Sequence, residues 1–476
     1  MKKSKILIYS MILISIVLCI PSVIYLINNR TVDGFNAYYS YILTRPVNII
    51  NGLMNGIVVI SLLLIFVLLY ILLIKKQNEI LKTTKEAIIF IMIISFMFIM
   101  ILPFLSSDIY YYIGDSWLLA KYGENPYYTT VADLQNNGIN DEILNNTGYW
   151  KGTVSVYGPL WTSISRVLVS FSFGSVTIAL FVFKFAAYLV HILNSYLFYK
   201  ITKSKKYMLI YGLNPLILLH FLSNVHNDIY LIVFILLALY FLIRKKNVIF
   251  TIIFLALSVC VKYSTILLVP FILLYCFRDK SIPKRILFCL FWGLSTIAIV
   301  VLFYLPYYKD VTIFTNMLVQ GDRYSQSILG VLMNYLPSNI YMIIGKIKFP
   351  IFALICIFLL IKILFSKKIT LRETLRKYNL VMLIFIFIIL TNFHEWYIPW
   401  LIVTLPWQNK YIRIFTISLM GSALIIPIRY FMVGSDPFLY GMWYSIEILV
   451  LSTIVLLNYI QEEKCKRRKN VTFSIN

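Results

Sequence analysis

Residues 278–305 read RDKSIPKR and then ILFCLFWGLSTIAIVVLFYL, a basic segment followed by 20 residues, Ile286 to Leu305, without a single charge. Some 20 apolar residues in a helix rise about 30 Å, the thickness of bilayer hydrocarbon. Inside lipid a backbone must satisfy its own hydrogen bonds, so such a run is helical. The same unit, an apolar run bounded by Lys and Arg, recurs along the chain. Runs fall near residues 6–27, 52–74, 87–105, 174–200, 207–223, 228–243, 248–261, 264–277, 286–305, 349–365, 378–392, 396–409, 411–428 and 438–459. This predicts an all-α, polytopic transmembrane helix bundle of about 12–14 spans. Several runs are too short to cross alone. The 248–277 pair and the 396–409 segment are expected as tilted half-helices or re-entrant turns packed within protein.

Composition agrees: 61% of residues are hydrophobic and 13% charged, more apolar surface than one soluble core can hide. No stretch is long and polar enough for a separate soluble domain, so residues 1–476 read as one integral membrane domain. The net charge of +24 would suggest nucleic acid in a soluble protein. Here the basic residues sit between spans, in clusters at Lys2 to Lys5, Lys75 to Lys85, Lys200 to Lys206, Arg244 to Lys246, Arg278 to Arg285, Lys367 to Lys377, Lys410 with Arg413, and Lys464 to Lys469. Roughly three-quarters of them fall on one side, which the positive-inside rule makes cytoplasmic. Both termini, including a basic tail over residues 460–476, are then cytoplasmic in a multi-pass plasma-membrane protein, and nucleic acid is excluded as a partner. Membrane lipid is the partner the basic clusters imply.

None of the six cysteines is placed for an external disulfide or a metal cluster. The basic start and apolar Ile6 to Ile27 lack a small-x-small cleavage site, so this segment reads as an uncleaved first span. Two outer loops, 106–159 and 306–349, are unusually long, and long ordered loops tend to carry function. The first is rich in Tyr, Asn, Asp and Gly, with too few apolar residues for a core of its own, and is expected as short interfacial helices. The second contains an amphipathic stretch from Ser325 to Leu336 that reads likewise.

About two-thirds of the Asp and Glu residues fall on the side opposite the basic clusters, many at the membrane boundary, where an unpaired charge is costly. Asp108 stands first, where the third span meets the first loop. A carboxylate partly desolvated by aromatics can take a proton from a sugar hydroxyl as that oxygen attacks an anomeric carbon. Asp115, about two helical turns on, shares its face if the loop opens as a helix, which suits one base and one orienting residue. The plainer alternative makes Asp108 a helix cap and Asp115 a solvated side chain. His226, Asn227 and Asp228 occupy a tight outer turn and offer donors and acceptors to a hydroxylated or phosphorylated ligand, or else simply cap and turn the chain. One His and one Asp make no complete metal site, so no metal or other cofactor is assigned and a divalent cation has no support.

Lys262 and Arg323 are rare outward cations and candidates to offset the charge of a lipid phosphate; snorkelling of Lys262 and an Asp322 to Arg323 pair are the alternatives. His394, Glu395, Trp396 and Tyr397 open a short span from outside. Such aromatics ordinarily form an interfacial belt, yet they also stack on sugar faces. Glu447 receives no role.

The order of these motifs carries more than any one of them. Asp108-Ile109-Tyr110-Tyr111-Tyr112, then Gly123-Glu124-Asn125-Pro126-Tyr127, Tyr157-Gly158-Pro159-Leu160, His226-Asn227-Asp228, Val261-Lys262-Tyr263 and Trp396-Tyr397 to Trp400 resemble, in that order, bacterial polyprenol-phosphate-sugar mannosyltransferases of the glycosyltransferase C superfamily. The resemblance spans roughly Asp108 to Trp407. It implies an inverting transfer of mannose or another hexose from a polyprenyl-phosphate donor to a glycan or glycolipid acceptor at the extracytoplasmic face. It puts the base at Asp108 and substrate contacts at Tyr111, Asn125 and Tyr157 with the residues above. Many relatives carry a paired acidic motif where this chain has one Asp after Ser106-Ser107, so the roles of Asp108 and Asp115 stay open. A transporter or flippase of lipid-linked oligosaccharide is the rival reading. Such proteins tend to show inverted repeats and midplane charges, and no repeat is visible here.

Overall fold

A computed structural model describes residues 2–29, 49–318, 327–333, 335–424 and 444–473. The protein is an all-α polytopic membrane protein, with no strand among the described residues. Five helices are long and apolar enough to cross a membrane: Lys5–Asn29, Val58–Ile80, Val176–Thr202, Ile282–Tyr307 and Asn339–Leu364. Two further apolar helices, Pro215–Ser223 and Asp228–Lys245, meet at 117° and form either a broken sixth span or a re-entrant turn. The chain forms two compact units, Met1–Asp322 with Ile363–Ile369, and Arg323–Lys362 with Thr370–Asn476.

In the first unit, α1 (Lys2–Asn29), α2 (Ile49–Ile80) and α3 (Thr84–Met100) pack together. The Cys19 thiol donates to Met97 O at 2.9 Å, and Ser22 Oγ accepts from Leu102 N at 2.9 Å. The chain then runs through α4 (Asp108–Tyr122) and α5 (Pro159–Val169), returns in α6 (Val176–Thr202), and rises through α7 (Lys205–Gly212) and the bent pair. Descent along α8 (Asp228–Tyr240) is followed by a short hairpin, α9 (Val248–Val261) and Tyr263 to α10 (Val269–Cys276), then by α11 (Ile282–Tyr304). The hairpin is the pair of short runs expected from the sequence. Along α11, Leu287, Leu290, Phe291, Leu294 and Leu302 are all exposed, an apolar surface of the kind a membrane-spanning helix turns to lipid.

The ends opposite the α4 tip are tied by cations on helix C-termini, where four carbonyls lack helical partners. Lys205 donates to Leu81 O, Arg244 Nε to Lys200 O at 3.1 Å and Ile201 O at 3.0 Å, and buried Arg285 to Phe277 O, Arg278 O and Lys280 O at 3.3, 2.7 and 2.9 Å.

The first long loop differs from its expectation in one respect: it buries a small core. Leu118, Val131, Leu134 and Leu144 pack with Trp117, Tyr122 and Ile139. Asp141 compensates for the shortage of apolar residues. Its carboxylate accepts from Trp117 Nε1, Lys121 Nζ and the Tyr122 hydroxyl at 3.0, 2.7 and 3.0 Å, while capping the helix Glu142–Asn145. Burial alone would raise this carboxyl; the bonds from Lys121 and Trp117 outweigh it and hold it below the ordinary value.

In the second unit the 396–409 run is a 3-10 helix, Glu395–Trp407, interrupted by Pro399 and Pro406, which lack the N–H an α-helix needs. Thr404 Oγ1 donates to Asn379 Oδ1 at 2.8 Å, and Gln408 Nε2 to Leu375 O at 3.2 Å. Of the amphipathic stretch, Ile328–Met333 is helical; Ser325 and Asn334 lie outside the described residues.

Candidate active site

The site assembles where three chain tips meet: the α3–α4 junction, the bend at residues 224–227, and the α9–α10 hairpin. Asp108 is the first residue of α4, where the helix macrodipole favours negative charge. Its Oδ2 lies 3.5 Å from His226 Nδ1; the histidine side chain is fully buried and the carboxylate 16% exposed. One face of the carboxylate thus meets protein and the other meets solvent, the placement a general base needs.

The bend is built by Asn224 and Val225. Asn224 Oδ1 accepts from Phe104 N and Leu105 N at 3.1 and 2.9 Å, splicing this turn onto the strip of chain before Asp108. Val225 takes a left-handed φ of 56°, an uncommon state for a β-branched residue and one that strain-bearing functional turns retain. It swings His226 over His220, ring centroids 5.6 Å apart, with His226 N donating to His220 O at 3.0 Å.

Asp228 is fully buried and its Oδ1 accepts from Lys262 Nζ at 2.9 Å. Lys262 is therefore a paired cation on the site's rim, and the snorkelling alternative does not describe it. The Asn227 side chain is buried, and neither its Nδ2 nor its Oδ1 meets a hydrogen-bond partner among the described residues.

Tyrosines form the wall. Tyr157 lies 5.1 Å from Tyr112 and 6.3 Å from Tyr111 between ring centroids. Its carbonyl accepts from the hydroxyls of Tyr127 and Tyr263 at 2.9 and 3.1 Å. Tyr112 is hydrogen-bonded to the Asn227 backbone and to Tyr157, while Tyr111 donates to Thr153 O at 3.1 Å. Burial raises both phenols well above their ordinary value. Asn125 is committed to the scaffold: Nδ2 donates to Tyr307 O at 2.7 Å and Oδ1 accepts from Tyr127 N at 3.1 Å.

Asp115 shares α4 with Asp108 as the two-turn spacing predicted, but the solvated alternative fails, because its side chain is buried. Burial pushes its carboxyl up to about 8, against a smaller opposing effect of the nearby Ser155 hydroxyl.

Gly158 closes the site from the side. Its N–H donates to Val261 O at 3.1 Å, and a Cβ there would stand 2.1 Å from Cys260 O. Beside this junction lies an apolar cavity of about 350 Å³ walled by Val259, Tyr263, Ile266, Val300, Tyr304 and Phe314.

Asp108, Tyr111, Tyr112, Asp115, Tyr157, His226, Asn227, Asp228 and Lys262 are therefore brought together. Arg323 lies outside the described residues. His394, Glu395, Trp396 and Tyr397 belong to the second unit, where His394 stacks on Trp396 with centroids 4.1 Å apart and Glu395 is buried. No group of three His, Cys, Asp or Glu side chains able to hold a metal occurs among the described residues.

The sequence reading missed Lys184 and His220. Lys184 is fully buried in α6 and donates to Ile101 O, Leu222 O and Ser223 O at 2.7, 3.2 and 2.6 Å. The signal was present: one Lys inside an otherwise apolar span is a functional residue by default.

A family model described as alpha-(1->6)-mannopyranosyltransferase, N-terminal domain, matches residues 27–278, more than half of the chain and every member of the assembled cluster. No curated protein and no solved structure matches it.

Proposed function

The chain belongs to the alpha-(1->6)-mannopyranosyltransferase family, and from that premise we propose that it moves a mannosyl or related hexosyl group from a polyprenyl-phosphate donor to a glycan or glycolipid hydroxyl, with inversion, at the extracytoplasmic face. The observation that carries this reading is the Asp108 carboxylate, mostly buried yet still reached by solvent, 3.5 Å from buried His226.

The reaction divides among the residues as follows. The acceptor O–H loses its proton to Asp108 while its oxygen forms the bond to C1 of the donor sugar. The bond from C1 to the phosphate oxygen breaks on the opposite face, and the electron pair leaves with polyprenyl phosphate. Lys262, held by Asp228, offsets the charge that grows on the leaving phosphate. His226 holds the carboxylate in line, and the Asn227 carboxamide has donors and an acceptor for sugar hydroxyls. Tyr157, partly exposed, presents a face for a sugar ring, and buried Tyr111 and Tyr112 back it. Asp115, protonated at neutral pH, donates a hydrogen bond and orients; it does not compete with Asp108 as base. The hydrocarbon of the donor lies along the apolar cavity beside Lys262.

The test is transfer of radiolabelled sugar from synthetic polyprenyl-phosphate-mannose by purified protein in detergent, with Asp108→Asn at matched folding. Loss of about 100-fold or more in kcat with a near-normal KM is expected when a general base is removed. Full activity in Asp108→Asn would overturn the assignment, and no transfer by the wild type would overturn the donor.

A further inference from the structure

The geometry points to Lys184 as a positioning residue for sugar transfer, acting through the backbone that carries Asp108 and His226. An ammonium has three N–H donors, and Lys184 spends them on three carbonyls, Ile101 O, Leu222 O and Ser223 O. These acceptors sit on two separate segments. Ile101 follows the last residue of α3, and Leu222 and Ser223 end the helical turn before the bend. Both are helix C-termini, whose carbonyls lack helical partners, so the N–H donors of one side chain satisfy what each end alone leaves open.

The two segments lead directly to the reacting groups. Asp108 follows Ile101 by seven residues and His226 follows Ser223 by three. A second lacing runs beside the first: Asn224 Oδ1 holds Phe104 N and Leu105 N, and Ser223 Oγ donates to Ile101 O at 3.3 Å. Lys184 is therefore the pin of a clamp whose far side is the spacing between Asp108 and His226. The two ends that Lys184 joins are the ones that carry Asp108 and His226. The inference rests on the proposed role of Asp108.

Lys184→Met keeps the length and removes the donors. The experiment compares wild type, Lys184→Met, Lys184→Arg and Asp108→Asn by kcat, KM and the pH profile of transfer. If Lys184 positions the pair, Lys184→Met lowers kcat by about 30-fold or more while donor KM stays within about threefold. The acid limb of its profile moves by about half a pH unit or more, since the spacing of the pair sets that limb. Lys184→Arg, which keeps the cation and its donors, recovers most of the rate. A kcat within about threefold of wild type, or a fall in kcat with the acid limb unmoved, would overturn the proposal. If Lys184→Met does not fold, Lys184→Arg carries the comparison, and failure of both to fold assigns Lys184 to the scaffold and overturns it too. Asp108→Asn separates the two readings: full activity there refutes the base and this role with it, whereas an inactive Asp108→Asn beside an unaffected Lys184→Met refutes the positioning role alone.

Discussion

Asp108 and Asp115 are two carboxylates on one helix with opposite surroundings, the first touching solvent and a histidine, the second closed in. For Asp115 the difference has a measurable sign. Its carboxyl is pushed up from 3.8 to about 8 by burial, so the folded protein keeps a proton that the unfolded chain releases. Below about pH 4 both states are protonated and the residue costs nothing; the cost grows as pH rises from about 4 to about 8 and is constant above. Asp115→Asn is therefore expected to unfold at a higher temperature than wild type at pH 8, with the gap closing toward pH 4. Thermal unfolding followed by tryptophan fluorescence in detergent measures it, and a gap that does not change with pH would refute the buried neutral carboxyl. Asp108 could be singled out from the sequence because a charge at a membrane boundary stands out. Its distance from His226, 118 positions along the chain, could not, because that proximity depends on Val225 turning left-handed and Asn224 binding the α3–α4 strip.

At the level of elements, stability rests on joints between helix ends. Arg285 satisfies Phe277 O, Arg278 O and Lys280 O with one planar fork. Arg285→Ala leaves these carbonyls short of donors, an expected loss of about 2–4 kcal/mol read as a lower unfolding temperature. Arg285→Lys should recover only part of it, since an ammonium lacks the fork; equal stability of all three proteins would discount the joint. Gly158 is the outer counterpart. Gly158→Ala drives a methyl group into Cys260 O, and forcing a group into a packed site costs about 1–3 kcal/mol. Reduced yield and lost transfer are expected together, whereas a normal Gly158→Ala enzyme would show that the loop yields easily. Short apolar runs at 248–277 and 396–409 were legible as incomplete spans from length alone. The small core of the first loop was not, because Leu118, Val131, Leu134 and Leu144 are scattered over 27 positions and cohere only through Asp141.

For the whole molecule, the alternation of tips gives an orientation that is open to test. Asp108, His226 and Lys262 lie at one set of helix ends in the first unit, and Lys205, Arg244 and Arg285 at the other. The positive-inside rule then predicts that the tips bearing Asp108, His226 and Lys262 face outward. In a cysteine-free background, a cysteine replacing Tyr149, which is 82% exposed, should react in whole cells with a thiol reagent that does not cross membranes, and one replacing exposed Lys245 should react only after permeabilisation. The reverse pattern would place the site in the cytoplasm. Gly158 carries one further consequence. With its backbone pressed against Cys260 and bonded to Val261, the end of the first loop is fastened to the neighbouring hairpin and behaves as a fixed wall. On the proposed function, donor and product would then exchange along the membrane plane or past other segments rather than by lifting of this side. Cross-linking the loop to the hairpin should leave turnover intact.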